Sequence, residues 1–355
     1  MVIVKIILFP LACIYGIIMS IRNKLFDWKI LSSKSFSIPV ISIGNLSAGG
    51  TGKTPHTEYL ASLLKKHYKI AILSRGYRRT TKGFILASAN HSQTDIGDEP
   101  LQYLKKFPDV TIAVDEDRKR GITRIMAEKP ETQVILLDDA FQHRYVKPGK
   151  SIILTDYHHL YKHDYLLPTG MLRESSKGAR RADIIIVTKT PKVLSPITRR
   201  NIEAELNPLP HQHLCYSYVG YDDPVPLKLC TNQKPASPKY GYIIMVAGVA
   251  NSYPFQEYLK SICNELTVID FKDHHQYTAQ DLDKIYREYQ SIISKDKVIF
   301  TTEKDATRLD NEEFSSFLQE LPLYYVPIRI RFHDCDHIKF DKLILDYVHQ
   351  SIGSH

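Results

Sequence analysis

From residue 38 onward, short runs of aliphatic and β-branched residues alternate with longer polar stretches: IPVISIG (38–44), KIAILS (69–74), VTIAV (110–114), QVILLD (133–138), SIILT (151–155) and DIIIVT (183–188). Runs this continuously apolar leave no polar face to turn to water, so they read as strands covered on both sides. The stretches between them are long enough for crossover helices. The pattern predicts a parallel sheet with helices on both faces over residues 36–212. A proline-rich stretch follows, interrupted by the extended-looking CYSYVGY (215–221), and reads as a connection with a hairpin over 213–240. The α/β rhythm then resumes over 241–355. Strands are expected at YIIMVAGV (242–249), LTVIDF (266–271), KVIFTT (297–302) and LYYVPIRIRF (323–332), and helices at 254–266 and 279–293.

Residues 2–21 break this rhythm, being apolar apart from Lys5 and Ser20. A helix of that length reaches about 30 Å, the thickness of a bilayer core, with a kink expected at Pro10. The positive charge, Arg22, Lys24, Lys29 and Lys34, comes after the apolar run, which disfavours a cleaved signal peptide. Such a flank stays on the cytoplasmic side and attracts anionic headgroups, so residues 1–35 are expected to form a membrane-associated helix that spans the bilayer or lies in its interface.

Composition adds little to the fold and something to the function. The 355 residues are 43% apolar and 24% charged, ordinary globular proportions, and the net charge of +8 favours anionic partners. Five scattered cysteines without a C-x-x-C pair support neither a disulfide framework nor a zinc site. Neither a nucleic-acid reading module nor an aromatic-basic stripe is recognisable, so no nucleic-acid partner is expected. No protein partner is expected either.

The strongest chemical signal is GNLSAGGTGKTP (44–55), where a buried strand, a glycine-rich turn and a helix start follow one another. Backbone N–H groups at a helix N-terminus point at phosphates, so Ser47, Ala48, Gly49, Gly50, Thr51, Gly52, Lys53 and Thr54 form a candidate nucleotide loop. Lys53 reaches the β and γ phosphates, and the Thr54 hydroxyl serves Mg²⁺. Ser47 stands where the strict pattern has glycine. Asp138 and Asp139 end the VILLD strand, where acids can hold the metal or its waters.

Three more polar clusters follow strands or fill loops: SRGY (74–77) with Arg75 and Tyr77, GDEP (97–100) with Asp98 and Glu99, and LPTGMLRE (167–174) with Arg173 and Glu174. Asp98 and Glu99 offer a base and a metal-linked acid; Arg75, Arg118 and Arg173 offer guanidinium forks for phosphate. In the second lobe, DFKDHHQY (270–277) gathers Asp273, His274 and His275, for a metal or for a histidine that shares a proton with a carboxylate across the domain cleft; the second reading is preferred because no third ligand is recognisable nearby. FTTEKDA (300–306) is expected to line the same cleft.

Taken in order, PLACIYG, GNLSAGGTGKTP, LSRGY, GDEP, DDAFQH, LPTGMLRE, AGVANSYPF, DHHQY and TEKDA resemble the tetraacyldisaccharide 4′-kinase family of lipid A biosynthesis over nearly the whole chain. The resemblance implies a P-loop kinase domain with a second, smaller α/β lobe. It also implies transfer of the ATP γ-phosphate, with Mg²⁺, to the 4′-hydroxyl of a tetraacylated glucosamine disaccharide 1-phosphate on the cytoplasmic face of the inner membrane. By motif, Asp98 resembles the residue that activates the hydroxyl, working with His274. Lys53 and Thr54 resemble the phosphate and metal contacts, and Glu99 and Asp138 further metal-linked acids. Arg118, Gln142 and Arg173 resemble charge-stabilising or positioning groups. Ala140 stands where the family usually has glycine; a left-handed backbone there would strain the turn that places Phe141 and Gln142. A nucleotide-switched membrane regulator is the competing class, but TKTP (188–191) has Pro191 where a guanine-reading motif needs aspartate.

Overall fold

The structure is a computed structural model that describes residues 2–230, 239–273 and 275–353, with side chains from residue 7 onward. Two compact units emerge: Met1–Val219 with Ile330–His355, and Gly220–Arg329.

The first unit is built on strands β1 (Val40–Asn45), β2 (Ile70–Ser74), β3 (Ile85–Leu86), β4 (Thr111–Val114), β5 (Val134–Asp138), β6 (Lys150–Asp156), β7 (Ile184–Thr188) and β8 (His213–Tyr221). β1 lies between β5 and β6, and β2 between β5 and β4, all parallel. Their alternation explains the unbroken apolar runs. Ile41 and Ile43 point into one core with Leu60 of the Lys53–Leu64 helix, while Val40 points into another with Ile122 and Ile125 of the Arg118–Glu128 helix. A sheet so covered has two dry faces, as the sequence predicts.

The second unit carries β9 (Val225–Pro226), β10 (Tyr240–Ala247), β11 (Cys263–Asp270), β12 (Lys297–Thr302) and β13 (Leu323–Val326), in the order β11-β10-β12-β13-β9. β9 is antiparallel to β13 and the remaining pairs are parallel.

The expected domain limits differ from these units in two places. CYSYVGY forms β8, parallel to β7, instead of a hairpin in a connection. The run LYYVPIRIRF divides at Pro327 into β13 and β14 (Ile328–Phe332), which belong to different sheets. Proline lacks the N–H a continuing ladder needs, so the chain changes sheet there. After β14, the Asp334–Gly353 helix buries Phe340, Ile344 and Val348 in the same core as Ile41 and Leu60. Spaced by four residues, these three side chains lie on one helix face. Burying each contributes roughly 1.5–3 kcal/mol, which ties the C-terminus to the first unit.

The Val2–Asp27 helix has two unlike faces. Ile7, Leu11, Ile14, Ile18 and Ile21 recur at alternating steps of four and three and are all exposed, whereas Ala12 and Phe26 are buried. Its Ile7–Asp27 segment is long and apolar enough to cross a membrane.

Candidate nucleotide and phosphoryl-transfer site

Parallel register brings the motifs together. β1 pairs Ile43 with Asp138, so the loop leaving β1 and the acids leaving β5 emerge side by side at the carboxyl edge of the sheet, where open α/β sheets bind ligands.

Ser47, expected as a departure from the glycine pattern, forms an antiparallel bridge with Leu172, and Ala48 N–H donates to the Met171 carbonyl at 2.6 Å. The start of the loop is therefore a strand-like edge that needs no glycine. Asn45 braces it from within, its Nδ2 donating to the Gly49 carbonyl at 3.2 Å and to Thr51 Oγ1 at 2.8 Å. The Thr188 hydroxyl donates to the Thr51 carbonyl at 2.9 Å, so TKTP shapes this loop. At the helix start Gly52 has φ 87°, a left-handed backbone that glycine adopts without strain.

Around this frame the charges converge. The carboxylate of Asp139 accepts two bonds from Arg173 Nη1, at 2.9 and 3.0 Å, and lies 3.6 Å from Lys53 Nζ. One carboxylate thus faces two cations. Asp138 is buried; Thr57 Oγ1 and Tyr103 OH donate to its oxygens at 3.3 and 3.2 Å. Burial, then the neighbouring Asp139, raises its pKa, while Lys53 and Arg118 oppose the shift. Thr54 Oγ1 lies 3.5 Å from Glu99 Oε1.

Asp98 and Glu99 open the Asp98–Lys106 helix, where carboxylates are favoured by the helix dipole. Gly97 before them has φ 93°, and a Cβ there would come within 2.8 Å of the Tyr77 carbonyl oxygen. Only glycine lets GDEP pack so closely on SRGY. Arg75 and Tyr77 themselves are exposed.

Other expected residues occupy different surroundings. Arg118 is buried, donating to the backbone carbonyls of Asp115 at 2.7 Å and Asp138 at 3.1 Å; burial pulls its pKa down to about 10. It ties the ends of β4 and β5 together. Gln142 Nε2 donates to the Asn45 carbonyl at 2.8 Å and to Glu174 Oε1 at 3.2 Å. Glu174, buried, also accepts from Arg181 and from Asn23 of the N-terminal helix. That helix reaches the site twice more: Tyr15 OH donates to the Arg173 carbonyl at 2.6 Å, and Arg22, expected in the basic flank, donates to the Gln142 carbonyl at 2.9 Å. The left-handed residue of DDAFQH is Asp139, at φ 46°, so Ala140 escapes the strain anticipated for it.

In the second unit, His275 Nε2 lies 3.0 Å from Asp281 Oδ2 and its ring stacks on Phe271. His274 lies outside the described residues. Asp305 of TEKDA is fully buried and accepts from Gly248 N–H at 2.9 Å, Thr302 Oγ1 at 2.7 Å and Arg308 Nη1 at 3.2 Å. Its carboxylate holds the unit together. Among the described residues no group of three or more His, Cys, Asp or Glu side chains is placed to hold a metal ion. The hydroxyl and carboxylate oxygens of Thr54, Glu99 and Asp138 nonetheless suit Mg²⁺, which is commonly held by one or two carboxylates together with substrate phosphates.

Sequence reading missed Asn45 and Thr188, which act through backbone carbonyls, and the polar face of the N-terminal helix. Tyr15 within the apolar run, and Arg22 and Asn23 about two turns on just after it, are the signal that face carried.

The profile of the tetraacyldisaccharide-1-P 4′-kinase (LpxK) family matches residues 4–349. The chain belongs to this family. It is 45% identical to the tetraacyldisaccharide 4′-kinase of Bacteroides thetaiotaomicron, over 97% of this chain and 93% of that one. Identity to the Flavobacterium johnsoniae tetraacyldisaccharide 4′-kinase is also 45%, covering 98% of both. Among solved structures, LpxK from Aquifex aeolicus in complex with ATP superposes with a TM-score of 0.72 at 28% identity, covering 97% of this chain and 99% of that one. Mixed parallel sheets and the P-loop kinase fold are common to both.

Proposed function

We infer that the protein is an ATP-dependent lipid kinase that phosphorylates the 4′-hydroxyl of a tetraacylated glucosamine disaccharide 1-phosphate, a step of lipid A biosynthesis. The observation that carries this reading is the convergence of Lys53 and Arg173 on Asp139 beside the loop of a family member.

ATP lies with its phosphates on the loop amides, and Lys53 and Arg173 neutralise the γ-phosphoryl oxygens. Asp139 spaces the two cations and keeps them from collapsing onto other acids. Thr54, Glu99 and Asp138 are the residues that would hold Mg²⁺, which would offset the negative charge of the phosphates. Asp98 accepts the proton of the acceptor hydroxyl, with His274 assisting, as that oxygen bonds to the γ-phosphorus. The bond from phosphorus to the β–γ bridging oxygen breaks and ADP leaves. Gln142 and Glu174 position the Arg173 segment; Arg118 does so through the strand ends; Arg75 and Tyr77, exposed beside GDEP, are placed for the sugar phosphate.

The exposed apolar stripe of the N-terminal helix sits in the cytoplasmic leaflet of the inner membrane, which keeps the acceptor's acyl chains in lipid while the sugar enters the site. The test is to incubate the protein with ATP, Mg²⁺ and the acceptor in mixed micelles and locate the new phosphate by phosphorus NMR. A signal at the 4′ position is expected. Release of inorganic phosphate with unmodified lipid would overturn the reading in favour of a nucleotide switch.

A further inference from the structure

His56, one turn into the Lys53–Leu64 helix, is buried, yet no step above uses it. Its Nδ1 lies 2.7 Å from the Gly52 carbonyl oxygen and its Nε2 lies 3.0 Å from Ser217 Oγ. A carbonyl can only accept, so Nδ1 carries the proton; Nε2 is then the acceptor, and the Ser217 hydroxyl donates to it. Ser217 is itself fully buried in β8, and its carbonyl receives the Thr190 N–H at 3.1 Å and the Thr190 hydroxyl at 3.0 Å. The imidazole is therefore held at both ends, with the sheet on one side and the junction of loop and helix on the other.

Gly52 caps the helix in a left-handed backbone, with no side chain to restrain it. In a planar trans peptide the C=O and the following N–H point in opposite directions. Fixing the Gly52 carbonyl toward the ring thus aims the Lys53 N–H away from it, out of the open end of the helix. The His56 N–H reinforces the same carbonyl at 3.3 Å.

We propose that His56, braced by Ser217, is a positioning residue for nucleotide binding, presetting the Gly52–Lys53 peptide so that the Lys53 amide faces the triphosphate before ATP arrives. The inference rests on the reading of this loop as the ATP site. The ring touches no phosphate; it acts by removing orientations the peptide would otherwise sample, a gain in preorganisation.

His56→Leu removes both bonds, His56→Asn retains a donor near the place of Nδ1, and Ser217→Ala removes only the brace. For each full-length variant the readouts are equilibrium affinity for ATP, KM for ATP against KM for the lipid acceptor, and thermal unfolding. His56→Leu is expected to weaken ATP binding about tenfold and to raise the KM for ATP, leaving the KM for lipid unchanged. His56→Asn should recover most of the loss, and Ser217→Ala should lose about threefold. A folded His56→Leu protein that binds ATP like the wild type, or His56→Asn no better than His56→Leu, would overturn the proposal. Should His56→Leu fail to fold, unchanged ATP affinity in Ser217→Ala overturns it. Failure of the wild type to bind ATP overturns the ATP-site reading and this inference together, and is seen before any substitution is made.

Discussion

At the end of β5, Asp139 is partly exposed and is approached by two cations, Lys53 and Arg173. At the end of β12, the carboxylate of Asp305 is fully buried and faces one cation, Arg308, with a backbone N–H and a threonine hydroxyl on its remaining lone pairs. Both acids follow an apolar strand and both sit among charged residues in sequence. In the first unit one partly exposed carboxylate is shared between two cations, so an anionic ligand can complete the cluster. In the second the charges cancel and water is excluded, so the cluster completes the fold. Charge after a strand marks a binding site only where the donors are left incompletely used.

The sharpest way to break this contrast is to remove a cation from the open cluster. Lys53→Ala should lower kcat/KM for phosphate transfer by roughly a thousandfold with little change in unfolding temperature, because it removes a charge aimed at the transferring group. Arg173→Ala should cost about a hundredfold in the same assay, less than Lys53 since Lys53 still faces the γ-phosphate. In the closed cluster, Asp305→Asn should destabilise the protein by about 3 kcal/mol, through the charge left on buried Arg308, while the folded fraction transfers phosphate within about threefold of wild type. A hundredfold loss of transfer in folded Asp305→Asn would erase the distinction.

A smaller effect concerns pH. Burial holds the pKa of His56 down at about 4, and burial, with Arg118 nearby, does the same for His143. The unfolded chain takes up these protons as pH falls through about 6.5, whereas the folded protein resists until about 4. The stability they contribute is therefore full above pH 6.5 and is lost as pH falls from there toward 4. Thermal unfolding followed across that window should show a falling midpoint, with a shallower slope in His56→Asn than in wild type.

Much of the first unit was legible because its strands are buried on both faces, which writes itself as unbroken apolar runs. The phosphate loop was equally legible, since its mechanism demands glycine, lysine and threonine at fixed spacing. The destination of the last helix was not, because Phe340, Ile344 and Val348 specify an apolar face without saying which core receives it. The exchange of sheets at Pro327 was hidden for a related reason: two short strands in succession look like one long one. Within the site, residues that act through their own charge, such as Lys53 and Arg173, could be picked out. Those that act through a neighbour's carbonyl, Asn45, His56 and Thr188, carry no pattern, because any buried polar residue could satisfy such a group. Arg118 reads from its guanidinium as a charge-stabilising or positioning group, and only the fold shows that its Nη1 and Nη2 reach the backbone carbonyls of Asp115 and Asp138.

The most direct test of the account follows γ-labelled phosphate from ATP, with Mg²⁺, into a tetraacyldisaccharide 1-phosphate in micelles, comparing wild type with Asp98→Ala. The account predicts rapid labelling of the lipid by the wild type, and labelling reduced by at least about a hundredfold in Asp98→Ala with ATP affinity preserved. Wild-type protein that hydrolyses ATP but leaves the lipid unlabelled, or Asp98→Ala that labels it at the wild-type rate, would contradict it.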